Sequence, residues 1–129
     1  MKKAFSLMEL LVVMSIIGML SAVLIPNLAG AQNRAKEAAL RALLYNVQAE
    51  IEGYYLDNNY YPDGESAPLA QLANELGLKR FRNPFTGKEY LAGDQAGRIM
   101  YSLSSGSGVY TLTAYKKDGA TVLLELTNS

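Results

Sequence analysis

Glu9 is the single charge in an otherwise apolar run of twenty-one residues, Phe5 to Ile25, and it stands close behind the leader Met1-Lys2-Lys3-Ala4. A carboxylate at mid-bilayer costs about 2.5–3.5 kcal/mol, less near an end, so its presence asks for a partner or a purpose. A cut between Ala4 and Phe5 would supply one, a new α-amino group at Phe5, one helical turn before Glu9. Within one chain, a helix N-terminus favours a nearby negative charge by about 0.3–1 kcal/mol, which accounts for Glu9 without any neighbour. Between chains, the amine of an adjacent helix could pair with it instead. Buried charges are tolerated mainly when paired, so that pairing would also fix the axial register of one helix against the next.

Other chemistry has little support. The chain contains no His and no Cys, which removes the commonest general base, the thiol nucleophile, disulfides and most transition-metal sites. Serine–lysine or paired-carboxylate catalysis stays formally open. Ser104-Ser105-Gly106-Ser107-Gly108 lacks the spacing and the Lys-Ser/Thr ending of a phosphate-binding loop and reads as a hairpin connection. From Asp57 to Glu65 the run Asp-Asn-Asn-Tyr-Tyr-Pro-Asp-Gly-Glu invites a calcium reading. The EF-hand template fails there, because Pro62 occupies the glycine position and Pro68 the position of the bidentate glutamate. A solvated turn is the plainer reading, with an irregular calcium loop left open. Tyr54, Tyr55, Tyr60 and Tyr61 read as the cover of a small core. No catalytic residue, cofactor or metal ligand is expected, and the chain reads as a non-enzyme.

The elements that must position Glu9 follow from periodicity. At about 1.5 Å per residue the apolar run makes a helix of about 31 Å, long enough to cross a bilayer. Lys2 and Lys3 ahead of it favour a cytoplasmic N-terminus and a head outside the cytoplasm. Roughly one hundred residues remain beyond the run, enough for one small domain. Lysine plus arginine and aspartate plus glutamate both number twelve, which gives no electrostatic case for nucleic-acid binding.

After Pro26, Leu40, Leu44, Val47, Ile51 and Tyr54 recur at spacings of three or four, one apolar stripe of an amphipathic helix. The expected element is one helix from Phe5 to Leu56, interrupted at Pro26, whose missing N–H costs the helix a hydrogen bond. Ser66 is the expected cap of a short helix that has Pro68 in its first turn and Gly77 as its stop. Asn83 to Gly87 reads as a compact turn, followed by an edge strand at Lys88 to Leu91. Alternation then predicts strands around Ile99-Tyr101-Leu103, Tyr110-Leu112-Ala114 and Val122-Leu124-Leu126. The fold class is α+β: a long N-terminal helix kinked at Pro26, its C-terminal half packed on a small antiparallel β-sheet. The organisation is a leader (1–4), an apolar transmembrane or filament-core helix (5–31) and a globular head (32–129). The head comprises the amphipathic helix 32–56, a loop and short helix over 57–78, and antiparallel strands within 88–126.

The stretch Phe5-Ser6-Leu7-Met8-Glu9-Leu10-Leu11-Val12-Val13, followed by Gly18 and Pro26, resembles the N-terminal signature of type IV pilins and type II secretion pseudopilins. The resemblance is strong over residues 1–31 and looser beyond. It implies that a prepilin peptidase/methyltransferase cuts between Ala4 and Phe5 and N-methylates Phe5. It also implies that Glu9 is the assembly glutamate and that the helix bends or melts between Gly18 and Pro26. Ala4 departs from the glycine usual before the cut, which bears on processing efficiency. The implied partners are further copies of the chain in a helical filament, a membrane assembly platform with motor ATPases, and membrane lipid before assembly. The implied localisation is a single-pass cytoplasmic membrane protein that becomes an extracellular pilus.

Three alternatives remain at this stage. Asn83-Pro84-Phe85-Thr86-Gly87-Lys88 is reminiscent of pseudopilins, although the ending Thr127-Asn128-Ser129 offers no counterpart to their calcium-binding loop. Ala29-Gly30-Ala31 also fits an ordinary signal peptide cut before Gln32, which would release a secreted soluble domain. A permanent single-pass anchor would leave Glu9 unexplained.

Overall fold

The computed structural model describes residues 4–77 and 81–129. Met1 to Lys3 of the leader, and Leu78 at the end of the expected loop-and-helix segment, lie outside the described residues. Helix α1 spans Leu7–Asn58, and the chain divides into two compact units, one ending at Ala35 and the other beginning at Lys36.

In the first unit every large apolar side chain from Phe5 to Leu28 is between 49% and 89% exposed. The mean hydropathy of the helix's most apolar stretch is 2.4, long and apolar enough to cross a membrane. Three of its polar side chains donate to carbonyls of the helix itself. Ser15 Oγ donates to the Leu11 carbonyl (2.8 Å), Ser21 Oγ to that of Ile17 (2.8 Å) and Asn27 Nδ2 to that of Val23 (3.1 Å). Such bonds one turn back remove the cost of placing a hydroxyl or amide among hydrocarbon. Helix α1 continues through Pro26. Proline removes only the bond to the Ala22 carbonyl, and the turns on either side keep their own ladder.

The second unit is the α+β head. Leu40, Leu44, Val47 and Ile51 of α1 are fully buried, each burial contributing about 1.5–3 kcal/mol before conformational losses. They pack in one cluster with Leu69, Leu72, Tyr90, Ile99, Tyr101, Tyr110, Leu112 and Ala114. The sheet has four antiparallel strands in the order β1 (Ala67–Pro68), β2 (Ile99–Leu103), β3 (Tyr110–Tyr115) and β4 (Val122–Thr127). Helix α2, Leu69–Leu76, follows β1 and stops at Gly77, whose φ of 64° is the left-handed conformation that ends helices.

Three expectations are corrected. Lys88 to Leu91 form no strand; a single bridge, Arg82 to Glu89, closes the Asn83 turn, and the edge beside β2 is taken by β1. Ser66 does not cap α2, because its φ of 51° turns the chain into β1, and the position before the helix belongs to Pro68 without a side-chain cap. In β4 the alternation breaks where the register shifts beside Ala114 and Tyr115. Leu124 and Leu126 pack on the core as expected, but Val122 is 48% exposed and Leu123 packs in its place. A bulge turns side chains over in this way.

The β3–β4 turn is held by Asp118. Its Oδ1 accepts the amides of Ala120 (3.0 Å) and Thr121 (2.9 Å), and its Oδ2 accepts the Thr121 hydroxyl. The Thr121 hydroxyl, then these amides, lower the carboxyl to about 2 from its ordinary 3.8. A depressed folded value means stability that is present above the unfolded value and lost as pH falls through the folded one. Asp118→Ala is therefore expected to lower the melting temperature of the head slightly at neutral pH. The gap from the parent should close between about pH 4 and pH 2, as read by circular dichroism melts across that range.

Candidate functional site

Ala4 to Ser6 precede the helix in non-helical backbone, and Phe5 is 89% exposed. Ser6 and Glu9 then close a reciprocal pair. The Ser6 amide donates to Glu9 Oε2 (3.1 Å) and the Glu9 amide donates to Ser6 Oγ (3.2 Å). This is a capping box, which satisfies two of the donors a helix start leaves open. The sequence signal for it, Ser-x-x-Glu before an apolar run, is present at Ser6-Leu7-Met8-Glu9, although the sequence reading assigned Glu9 only to dipole and pairing roles. Glu9 Oε1 has no partner among the described residues. One carboxylate oxygen thus organises its own helix, and the cap leaves the other uninvolved.

The structure brings Phe5, Ser6 and Glu9 together at the start of the helix and places Gly18 and Pro26 further along it. A methyl group added at Gly18 would meet nothing within 4 Å. Neither position forms a pocket or a charge cluster with Glu9.

Two polar centres in the head escaped the sequence reading. Asn83, read there as part of a turn, is fully buried and anchors the connection between α2 and β2. Its Nδ2 donates to the Ala96 carbonyl (2.8 Å) and to Asp94 Oδ2 (3.4 Å), while its Oδ1 accepts the Phe85 amide (3.0 Å). Glu52 accepts the hydroxyls of Tyr110 (2.5 Å) and Tyr61 (3.2 Å), tying α1 to β3 and to the following loop. Burial, followed by the bond to Glu52, raises the Tyr110 hydroxyl above its ordinary value and keeps it a donor. Both centres are scaffolding. Among the described residues no three metal-ligating side chains converge, in the 57–65 loop or elsewhere.

An exposed apolar helix that opens with a capped glutamate and leads into a small α+β head is a pilin-like arrangement. A family described as the prokaryotic N-terminal methylation motif matches residues 1–25. The type IV wide pilus major component PilA4 of Thermus thermophilus is 35% identical over 117 residues, covering 84% of this chain and 86% of the relative. Core protein G of the type II secretion system of Escherichia coli is 28% identical over 116 residues, 81% and 80% of the two chains. The ComG operon protein 3 homolog of Bacillus licheniformis is 33% identical over 79 residues, 61% of this chain and 77% of the relative. No solved structure matches. The chain belongs to the family of type IV pilins and type II secretion pseudopilins and is a structural subunit of that kind. Its relatives PilA4 and core protein G are structural subunits rather than enzymes.

Proposed function

We propose that this chain is the repeating subunit of a type IV pilus-like filament, cut between Ala4 and Phe5, N-methylated on Phe5, and assembled through its apolar helix. The observation that carries this reading is the exposure of every large apolar side chain from Phe5 to Leu28. Such a surface requires lipid before assembly and neighbouring helices after it, since removing apolar area from water contributes about 25 cal/mol per Å². Glu9 Oε1 takes the Phe5 amine of a neighbouring subunit and sets the axial register. Lys2 and Lys3 hold the N-terminus on the cytoplasmic side, with the head beyond the membrane. The partners are a prepilin peptidase/methyltransferase, an assembly platform and its motor ATPases. A surface pilus is favoured over a secretion pseudopilus by PilA4, whose 35% identity exceeds the 28% of the E. coli secretion protein over similar spans.

Deleting the gene and restoring it separates the two machines. A pilin predicts surface fibres containing this chain that vanish on deletion, whereas a secretion defect without loss of fibres would favour the pseudopilin. Gly18 and Pro26 bound the segment that bends or melts in the filament. Pro26→Ala restores the missing N–H and is expected to stiffen that segment and alter the subunit rise. A helical reconstruction unchanged from the parent would count against the hinge.

A further inference from the structure

A groove of about 1180 Å³ lies in the head between the end of α1, the loop that follows it and the β2–β3 hairpin. Its size is somewhat above that of typical ligand pockets, which hold about 300–1,000 Å³. One wall is aromatic, from Tyr55, Tyr60 and Tyr61, and Asp63, Glu65 and the serines of the 104–108 turn add oxygen donors and acceptors. No lysine or arginine among the described residues lines it.

We propose that this groove binds a neutral oligosaccharide, stacked on the tyrosine rings and hydrogen-bonded through its hydroxyls to the carboxylates and serines around them. Phosphates, nucleic acids and acidic sugars are disfavoured, because two carboxylates without a lining cation repel them. A lipid chain is disfavoured by the polar far wall. Pyranose rings match both surfaces, since one face offers C–H groups to an aromatic ring and the rim offers hydroxyls.

The aromatic wall is held in place before any ligand arrives. Tyr61 stacks on Tyr55 with centroids 4.5 Å apart and meets Tyr110 edgewise at 4.9 Å, while its hydroxyl donates to Glu52. Tyr60 meets the Tyr54 ring edgewise at 5.7 Å and remains 57% exposed, with Tyr55 at 39%. The opposite wall is pinned by Asn128, which donates to the Gly108 carbonyl (2.9 Å) and accepts the Tyr110 amide (3.0 Å). Binding therefore orders few side chains, the usual cost of recognition at a loop. Asn59, with a φ of 62°, turns the chain so that Tyr60 and Tyr61 follow directly on α1. An asparagine in left-handed backbone directly after a helix is a common terminator, and its amide donates to the Tyr55 carbonyl (2.7 Å).

The test uses the full chain in a zwitterionic detergent free of sugar headgroups, with cellotetraose, chitotetraose and maltotetraose as probes and saturation-transfer NMR as readout. The expected result is transfer to pyranose C–H protons of at least one probe, weakened at least tenfold by Tyr60→Ala and unaffected by Tyr45→Ala, a tyrosine outside the groove. Tyr60→Phe keeps the ring and should keep binding, and the amide spectrum of each variant reports folding. Absence of transfer from all three probes would overturn the proposal, as would transfer that survives Tyr60→Ala. So would a copy-to-copy crosslink from position 60 in assembled protein, which would make the groove a subunit contact. The assay needs no filament, so its failure would leave the assembly reading untouched.

Discussion

Glu9→Gln is expected to leave the subunit folded and in the membrane while reducing filament yield by two orders of magnitude or more. Glutamine can still accept the Ser6 amide, so the capping box and the helix start persist. What disappears is the charge that a neighbouring amine would meet. Removing one partner of a buried pair costs about 3–5 kcal/mol, a factor on the order of 10²–10³ in each subunit's association at about 1.4 kcal/mol per tenfold. Ser6→Ala is the counterpart: it removes the hydroxyl that caps Glu9 but spares the carboxylate. Loss of such a cap costs a helix about 0.5–2 kcal/mol, and the rest of a 52-residue helix is unaffected. Sheared-fibre yield should thus stay near parental for Ser6→Ala and collapse for Glu9→Gln. Equal yields from both variants would reduce Glu9 to a helix cap.

The second large effect is expected at Gly97. It adopts a φ of +65°, and an added methyl would lie 2.5 Å from Phe85 Cδ2 and 2.9 Å from Asn83 Oδ1. Its own carbonyl accepts the Tyr90 hydroxyl (2.7 Å), so the backbone cannot retreat without releasing a buried tyrosine. Left-handed backbone costs alanine about 1–2 kcal/mol, and overpacking adds about 1–3. Gly97→Ala should therefore remove about 2–5 kcal/mol from a head whose whole stability is of the order of 5–15. Gly106→Ala serves as the control, with φ at +84° and open space around it, and should show the backbone cost alone. Urea titrations of the full chain in micelles, followed by near-ultraviolet dichroism of the tyrosines, measure both. Matching midpoints for the two variants would mean that the Asn83 connection gives way around the methyl.

The sequence carries the α1 stripe and the two long hairpin strands plainly, because their periods of three to four and of two are long enough to stand out. Leu40, Leu44, Val47 and Ile51 are the clearest instance, and all four are fully buried. Shorter elements escaped. Strand β1 is two residues long, and its pairing of Ala67 with Tyr101 and of Pro68 with Met100 depends on a partner far along the chain. Asn83 and Glu52 escaped for a related reason. A buried polar residue is recognised by what it touches, and the partners Ala96, Tyr61 and Tyr110 are remote in sequence. The bulge that exchanges Leu123 for Val122 likewise arises from pairing geometry, while the local alternation suggested an uninterrupted strand. At the N-terminus the cap was readable from Ser-x-x-Glu. That the cap engages only Oε2 of Glu9 is visible in the structure alone.

The most direct test of the central claim is the intact mass and N-terminal sequence of the chain isolated from cells. Processing for assembly predicts a terminus at Phe5 carrying one added methyl group, which also places the positive charge one turn from Glu9. A terminus at Gln32 would mean that the apolar helix is discarded and the head released. An uncut Met1 would mean a plain anchor in which Glu9 has no amine to meet. Either of these two results would contradict the account.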